Sequence, residues 1–485
     1  MDIGITGNKS LQTIFTGITL RPTRGDWIFA VGCLGFFALA LVFGDLSGAP
    51  LKIPSLFLAM TALFAISKII VEIVTYCLPW VQARRATALI LLLLFGVTSG
   101  LFFVRLDKTI PISGVESDVL LDHREHAERI GLSDAVFDSD KKFMVDGHVD
   151  LWAYLLYENG MQRLPWRLLP VAEKGMAYIY AAIFTVVRDY HPIYILIFLV
   201  AVKAIGGLLI LLLAIRGVNH TAAAVSALIY LLLPEGILWD AMLHKDGLII
   251  CLILLTLLSS VAMGVYRTGW QAALVSFSLV ALCYTRSGVV IPLCCGVLAT
   301  TLVLNVPVSK KMIRLATIVG TTALLFLVMP HVVRQEIVHN TVTRVVDKLC
   351  NNSSTGLDIQ NLTYTDSVQN SLVNSVGGGD MNIRKLHFLP VRILMIYMTP
   401  FPPCKIIEPV YWWIASSSWL YWIMSPFVML GLYRFALSRD PVHYSVIIFL
   451  GVLAVAIVFA GPMVLDRYRL MSLSRNPDSC PGSRG

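Results

Sequence analysis

The residues of this chain best suited to chemistry sit in the run "FDSDKKFMVDGHVDLWAYLLYENG", residues 137–160. It holds Asp138, Asp140, Asp146 and Asp150. A carboxylate can take a proton from an attacking hydroxyl. Asp146 and Asp150 are four residues apart and share one face if the segment is helical. Trp152, Tyr154 and Tyr157 follow, residue types that stack on sugars and sit at membrane interfaces. Two other readings stay open. One is a solvated acidic face. The other is a divalent cation site, for which the aspartates lack the glycine-turned spacing of a calcium loop.

Four further sets carry charge beside or within apolar sequence. "LPEGILWDAMLHKDGLII" supplies Glu235, Asp240, His244, Lys245 and Asp246. Pro234 and Gly236 should break one helix there, and Asp246 can cap the next. Lys245 and His244 could hold an anion beside a carboxylate, or the stretch could be a solvated helical hairpin. In "CYTRSGVV", Arg286 follows Tyr284 by two residues and is either a ligand or a snorkelling loop arginine. "GPMVLDRYRLMSL" places Arg467 and Arg469 at the end of the last apolar span. Guanidinium groups bind phosphate in forked geometry, although two arginines there could also anchor the helix at the interface. "MQRLPWRLLPVAEKG", with Arg163, Arg167, Lys174 and Trp166, reads as a polar groove or as a surface helix on headgroups.

These residues are positioned by an apolar chain. Hydrophobic residues make up 57% and charged residues 14%, and mean hydropathy is +0.75. Soluble domains have about 45–50% and about 25%. The composition therefore predicts an all-α polytopic membrane protein. A crossing needs about 20 apolar residues. Candidate spans are 27–44, 54–78, 87–104, 192–215, 218–234, 247–265, 269–285, 288–307, 313–331, 409–433 and 442–462, about eleven in all. The implied regions are N-terminal helices to 104, an outer loop at 105–191, a core at 192–331, a second outer loop at 332–408, C-terminal helices at 409–470, and a polar tail at 471–485.

Basic residues set the orientation. Lys9, Arg21 and Arg24, then "QARRA", "VSKKMIR" and "YRFALSR", all fall on the cytoplasmic side if the N-terminus is inside. The net charge of +8 then reflects these loops, and no nucleic-acid partner is expected. The two long polar stretches lie outside. "KGMAYIYAAIFTVVRDYHP" (174–192) and "LPVRILMIYMTPFPPCK" (389–405) are expected to be juxtamembrane helices on the outer face, since a crossing by the first would flip every later loop. Most of the nine cysteines lie in apolar runs and should act as small hydrophobes, without a zinc-ligand pattern. Cys350 and Cys404 could pair if both face an oxidising compartment. No cleavable signal peptide is evident.

The motif order is more informative than any one motif. An acidic residue opens an aromatic-containing helix in the first outer loop, followed by "KGMAYIYAAIFTVVRDYHPIYILIFLVAV", "ALIYLLLPEGILWDAMLHKDGLIICLILL", "LVALCYTRSGVVIPL" and "DRYRLMSL". Over roughly residues 140–470 this resembles the GT-C superfamily of polytopic glycosyltransferases, with a protein-mannosyltransferase-like core, as in bacterial surface-polysaccharide gene clusters. The resemblance implies a sugar donor carried on polyprenyl phosphate and a glycan or lipid-linked acceptor, joined outside the cytosol. It implies a catalytic aspartate at Asp146, with Asp150 second, a site-shaping Asp246, and donor-phosphate contacts from Arg467 and Arg469. No cofactor is required, although a divalent cation is compatible. The chain departs from the pattern in having three spans before the acidic loop, where the core has one. It also departs in the polar stretch "SLSRNPDSCPGSRG" after the arginine motif, where relatives continue into a helix; this reads as a shortened version. A repeat-unit polymerase, a lipid-linked sugar transporter and a non-catalytic assembly subunit are the alternatives.

Overall fold

The structure is a computed structural model describing residues 52–106, 171–303, 307–328 and 409–460, apart from short gaps, with scattered positions between 27 and 38. Among the described residues every regular element is a helix. In chain order these are α1 (Ile53–Cys77), α2 (Ala83–Leu106), α3 (Val171–Val187), α4 (Pro192–Gly217), α5 (His220–Leu232), α6 (Pro234–Ala241), α7 (Asp246–Val265), α8 (Gly269–Arg286), α9 (Val290–Val303), α10 (Val308–Val328), α11 (Pro409–Leu437) and α12 (Pro441–Ala460).

Four described helices are long and apolar enough to cross a bilayer, and five if the bent pair α5–α6 counts as one span. A membrane interior offers the backbone no water, so helices that pair their own amides are the economical way across. The chain thus has the character of a membrane protein. The expected spans at 54–78, 87–104, 192–215 and 409–433 fall on α1, α2, α4 and α11. Helix α9, with 14 residues, reaches only roughly 21 Å at ~1.5 Å per residue, against a core of ~30 Å.

Contacts divide the chain into two units: residues 1–107 with 182–251, and residues 108–181 with 252–485. The first unit is built around α4. Its most apolar window is 78% buried, so α4 is enclosed on most sides and α1, α2, α5 and α6 all pack on it. Local signals set its ends. His191 caps it, its Nδ1 accepting from the Ile193 amide at 3.1 Å, and Pro192 occupies the first turn, where no amide partner is needed. Asn219 caps α5 in the same way, its Oδ1 accepting from the Ala222 amide at 2.7 Å. Gly206 and Gly207 let α5 approach: a Cβ on either would lie 2.7 Å from Tyr230 or Leu231.

The end of α3 is tied to the start of α1. Arg188 takes a left-handed conformation (φ 58°), and the Asp189 amide donates back to the Phe184 carbonyl at 3.2 Å, a helix-terminating bond usually made over glycine. The buried Asp189 carboxylate then accepts from the Tyr194 hydroxyl at 2.6 Å and the Lys52 amide at 3.1 Å, with Lys52 Nζ at 3.5 Å. Ser55 Oγ donates to the Val187 carbonyl at 2.7 Å. The first residues of α1 and α4 therefore meet at one end of the unit, and the two helices run parallel. At the other end of α1, Glu72 pairs with Arg84 at 2.5 Å across the turn into α2.

In the second unit α9 packs along α12, and α8 along α10. The α8–α10 seam carries a hydroxyl cluster. Ser276 Oγ hydrogen-bonds Thr321 Oγ1, and Thr322 Oγ1 donates to Ser276 Oγ at 3.2 Å. Small residues with such hydroxyls are the usual means of joining helices where lipid removes the hydrophobic drive. Helix α11 rests on α12 through the Phe435–His443 stack, with ring centroids 3.9 Å apart. None of its most apolar window is buried, which leaves that face for acyl chains.

Candidate functional site

The expected span at 218–234 falls on α5, and the helix break expected at Pro234 and Gly236 is present. Leu233, followed by Pro234, interrupts the ladder, and α6 leaves α5 at 44°. Proline cannot donate to the preceding turn, so the break falls where the sequence places it. Helix α6 then runs beside the middle of α4 instead of leaving the bundle.

At that level sits an ion pair. Lys203 Nζ lies 2.8 Å from Asp240 Oδ2, and the two side chains are 3% and 4% exposed. Lys203 is the twelfth residue of α4, roughly 17 Å from its N-terminal end at ~1.5 Å per residue. Asp240 is the seventh residue of α6. Neither charge would stand alone in such a place, because a desolvated charge is tolerated only when an opposite charge compensates it.

The space for the pair comes from two glycines. A Cβ on Gly236 would lie 2.8 Å from Lys203 Nζ, and one on Gly247 would lie 2.9 Å from Asp240 Oδ1. Asp240 is therefore wedged between α4 and the first turn of α7, which Asp246 opens. Leu243, in the turn between them, is buried with φ 58°, a conformation that is costly for a bulky side chain and is held by its surroundings. Tyr230 completes the cluster: its ring centroid is 6.0 Å from Lys203 Nζ, and its hydroxyl is enclosed without a hydrogen-bond partner among the described residues. Glu235, half-buried on the same short helix, accepts from the Trp239 indole at 3.3 Å.

This arrangement corrects one expectation. A solvated hairpin does not describe the stretch around Asp240, which is 3% exposed and faces the middle of a neighbouring helix. The break after α5 turns α6 back against α4 and α2. It also adds a residue that sequence reading passed over. Lys203 sits in "YILIFLVAVKAIGGLLILLL", where an averaged hydropathy hides a single charge. The signal was a lysine with apolar residues on both sides for two turns or more.

The other candidates are placed unevenly. Asp246 is half-buried in the first turn of α7, adjacent to Gly247 and hence to Asp240. Arg286 is the last residue of α8, in the other unit. His244, Lys245, Asp146, Asp150, Arg163, Arg167, Arg467 and Arg469 lie outside the described residues, as do Cys350, Cys404 and the helix expected at 389–405. Among the described residues no group of three or more His, Cys, Asp or Glu converges as metal ligands would.

Chemically, the described part offers a desolvated cation and anion, a phenol and a broken helix, set within an apolar unit. The class this defines is an all-helical protein of membrane character with a buried polar site. No family model, curated protein or solved structure matches the chain.

Proposed function

We propose that the chain is a membrane glycosyltransferase of the GT-C type, with about eleven crossings. It would move a sugar from a polyprenyl-phosphate donor to a glycan or lipid-linked acceptor on the extracytoplasmic face. What supports this reading is the motif order from Asp146 to Arg469; the buried Lys203–Asp240 pair adds a polar site to the apolar helices without choosing the chemistry. Ionised groups inside an apolar helical unit mark functional sites. This pair abuts the start of α7, where Asp246 lies.

In this reading Asp146 accepts the proton of the acceptor hydroxyl as that oxygen attacks the anomeric carbon. The bond from that carbon to the phosphate oxygen breaks, and polyprenyl phosphate leaves with the electron pair. Arg467, Arg469 and Lys245 stabilise the charge growing on it. The leaving phosphate needs no proton at neutral pH, so one carboxylate suffices, in contrast to the carboxylate pair of glycoside hydrolysis.

The test is transfer by the purified chain from a synthetic polyprenyl-phosphate sugar. Asp146→Asn is expected to abolish product while leaving membrane expression unchanged; full activity in that variant would remove Asp146 as the base. A product ladder instead of a single shift would mean polymerisation of repeat units.

The broken α5–α6 span favours a second reading. Discontinuous helices with charges at mid-span are a hallmark of transporters. Movement of the lipid-linked sugar across vesicles, without a new glycosidic bond, would establish that reading over the enzyme.

A further inference from the structure

Helix α10 begins with "VSKKMIR", which places Lys310, Lys311 and Arg314 in its first two turns. This is the positive end of the helix dipole, where cations are disfavoured and anions favoured. Its first turn holds no acidic residue. The chain has no Asp or Glu between Asp246 and Glu336, so α8, α9 and α10 contain no carboxylate to offset these charges. Helices α11 and α12, the other helices of this unit that pack here, contain none either.

The three cations are not equivalent. Lys311 Nζ donates to the Leu302 carbonyl at the end of α9 and is thereby engaged. Lys310 is exposed. Arg314 is half-buried, and its Nη1 is enclosed with no acceptor among the described residues. An enclosed guanidinium N–H without an acceptor is costly and calls for a partner. Around them the surface is apolar: Val308, Met312 and Ile313 are 73%, 60% and 64% exposed.

We propose that the N-terminal end of α10 binds the headgroup of an anionic phospholipid. Arg314 and Lys310, one helical turn apart, hold the phosphodiester, and the acyl chains lie along Val308, Met312 and Ile313. A free phosphate would satisfy the cations but leave the apolar collar unused, so the lipid is the ligand that fits both halves. The positive-inside orientation puts this site in the cytoplasmic leaflet, where anionic lipid attracts basic residues. It is separate from the sugar-transfer reading and does not depend on it.

Native mass spectrometry of the full chain, released from detergent with phosphatidylglycerol or phosphatidylcholine added, tests the proposal. Preferential retention of phosphatidylglycerol is expected. Lys310→Gln and Arg314→Gln should each weaken it about fivefold, and Arg314→Lys should keep most of it. Equal retention of the two lipids, or unchanged retention in the Lys310→Gln/Arg314→Gln double variant, would overturn it. So would full competition by inorganic phosphate, which would mark a site for a free anion. If Arg314→Gln fails to fold, the exposed Lys310→Gln carries the same comparison.

Discussion

Lys203 and Asp240 are thirty-seven positions apart in the chain and 2.8 Å apart in space. A buried pair of this kind is asymmetric in its consequences. Removing one partner leaves an uncompensated charge and costs about 3–5 kcal/mol, whereas replacing both with apolar residues of similar size is close to neutral. Lys203→Met alone should therefore lower the thermal midpoint in detergent strongly, and Lys203→Met/Asp240→Leu should restore most of it. If the double variant then folds but neither transfers sugar nor moves lipid, the pair serves function beyond packing. If single and double variants melt alike, the two charges do not interact. At this scale Asp240 was visible in the sequence as a carboxylate among apolar residues. Its partner was not, because the pairing depends on a bend that periodicity does not encode.

Among the elements, the start of α4 has a pH dependence built into its cap. His191 is buried, and burial lowers its pKa from 6.5 to about 4, against the opposing pull of the nearby Asp189 carboxylate. Its Nδ1 must stay unprotonated to accept from the Ile193 amide. The unfolded chain takes up this proton near pH 6.5 and the folded chain only near 4. Stability from this group is thus complete above about 6.5 and falls by roughly 1.4 kcal/mol per pH unit on acidification towards about 4. Thermal melts across that window should show the decline. His191→Asn, which keeps a capping acceptor but does not titrate, should flatten it; an unchanged slope would remove His191 as its source. Helix ends such as this one were legible. Those of α1, α4 and α7 fall within two residues of the limits read from hydropathy, because an apolar run closed by proline, asparagine or aspartate leaves little choice. The break between α5 and α6 was legible at Pro234 and Gly236, but its direction was not, since nothing local states that α6 packs back against α4.

For the whole molecule, orientation is the property that sequence addresses most directly and on which the proposed chemistry depends. The parallel course of α1 and α4 requires the chain between them to make an odd number of crossings, counting α2. If residues 107–170 make no net crossing, α3 makes none, as the basic loops imply. With native cysteines replaced by serine, Gln82→Cys should be protected from an impermeant maleimide in intact cells. Lys52→Cys, at the opposite end of α1, should be labelled. The reverse pattern would invert the topology and put Asp146 in the cytosol. Asp146, Arg467 and Arg469 were legible by residue type and motif order alone, because they lie in polar stretches where hydropathy sets no register.

The knot at Asp189 has one more consequence. Its hydrogen bond to the Lys52 amide joins positions 137 residues apart, so everything between them is a covalent loop fastened at its base. A protease that cuts once between residues 107 and 170 would sever the chain without separating its pieces. The two fragments should purify as one particle, and a gene split at that point should yield halves that find each other in the membrane.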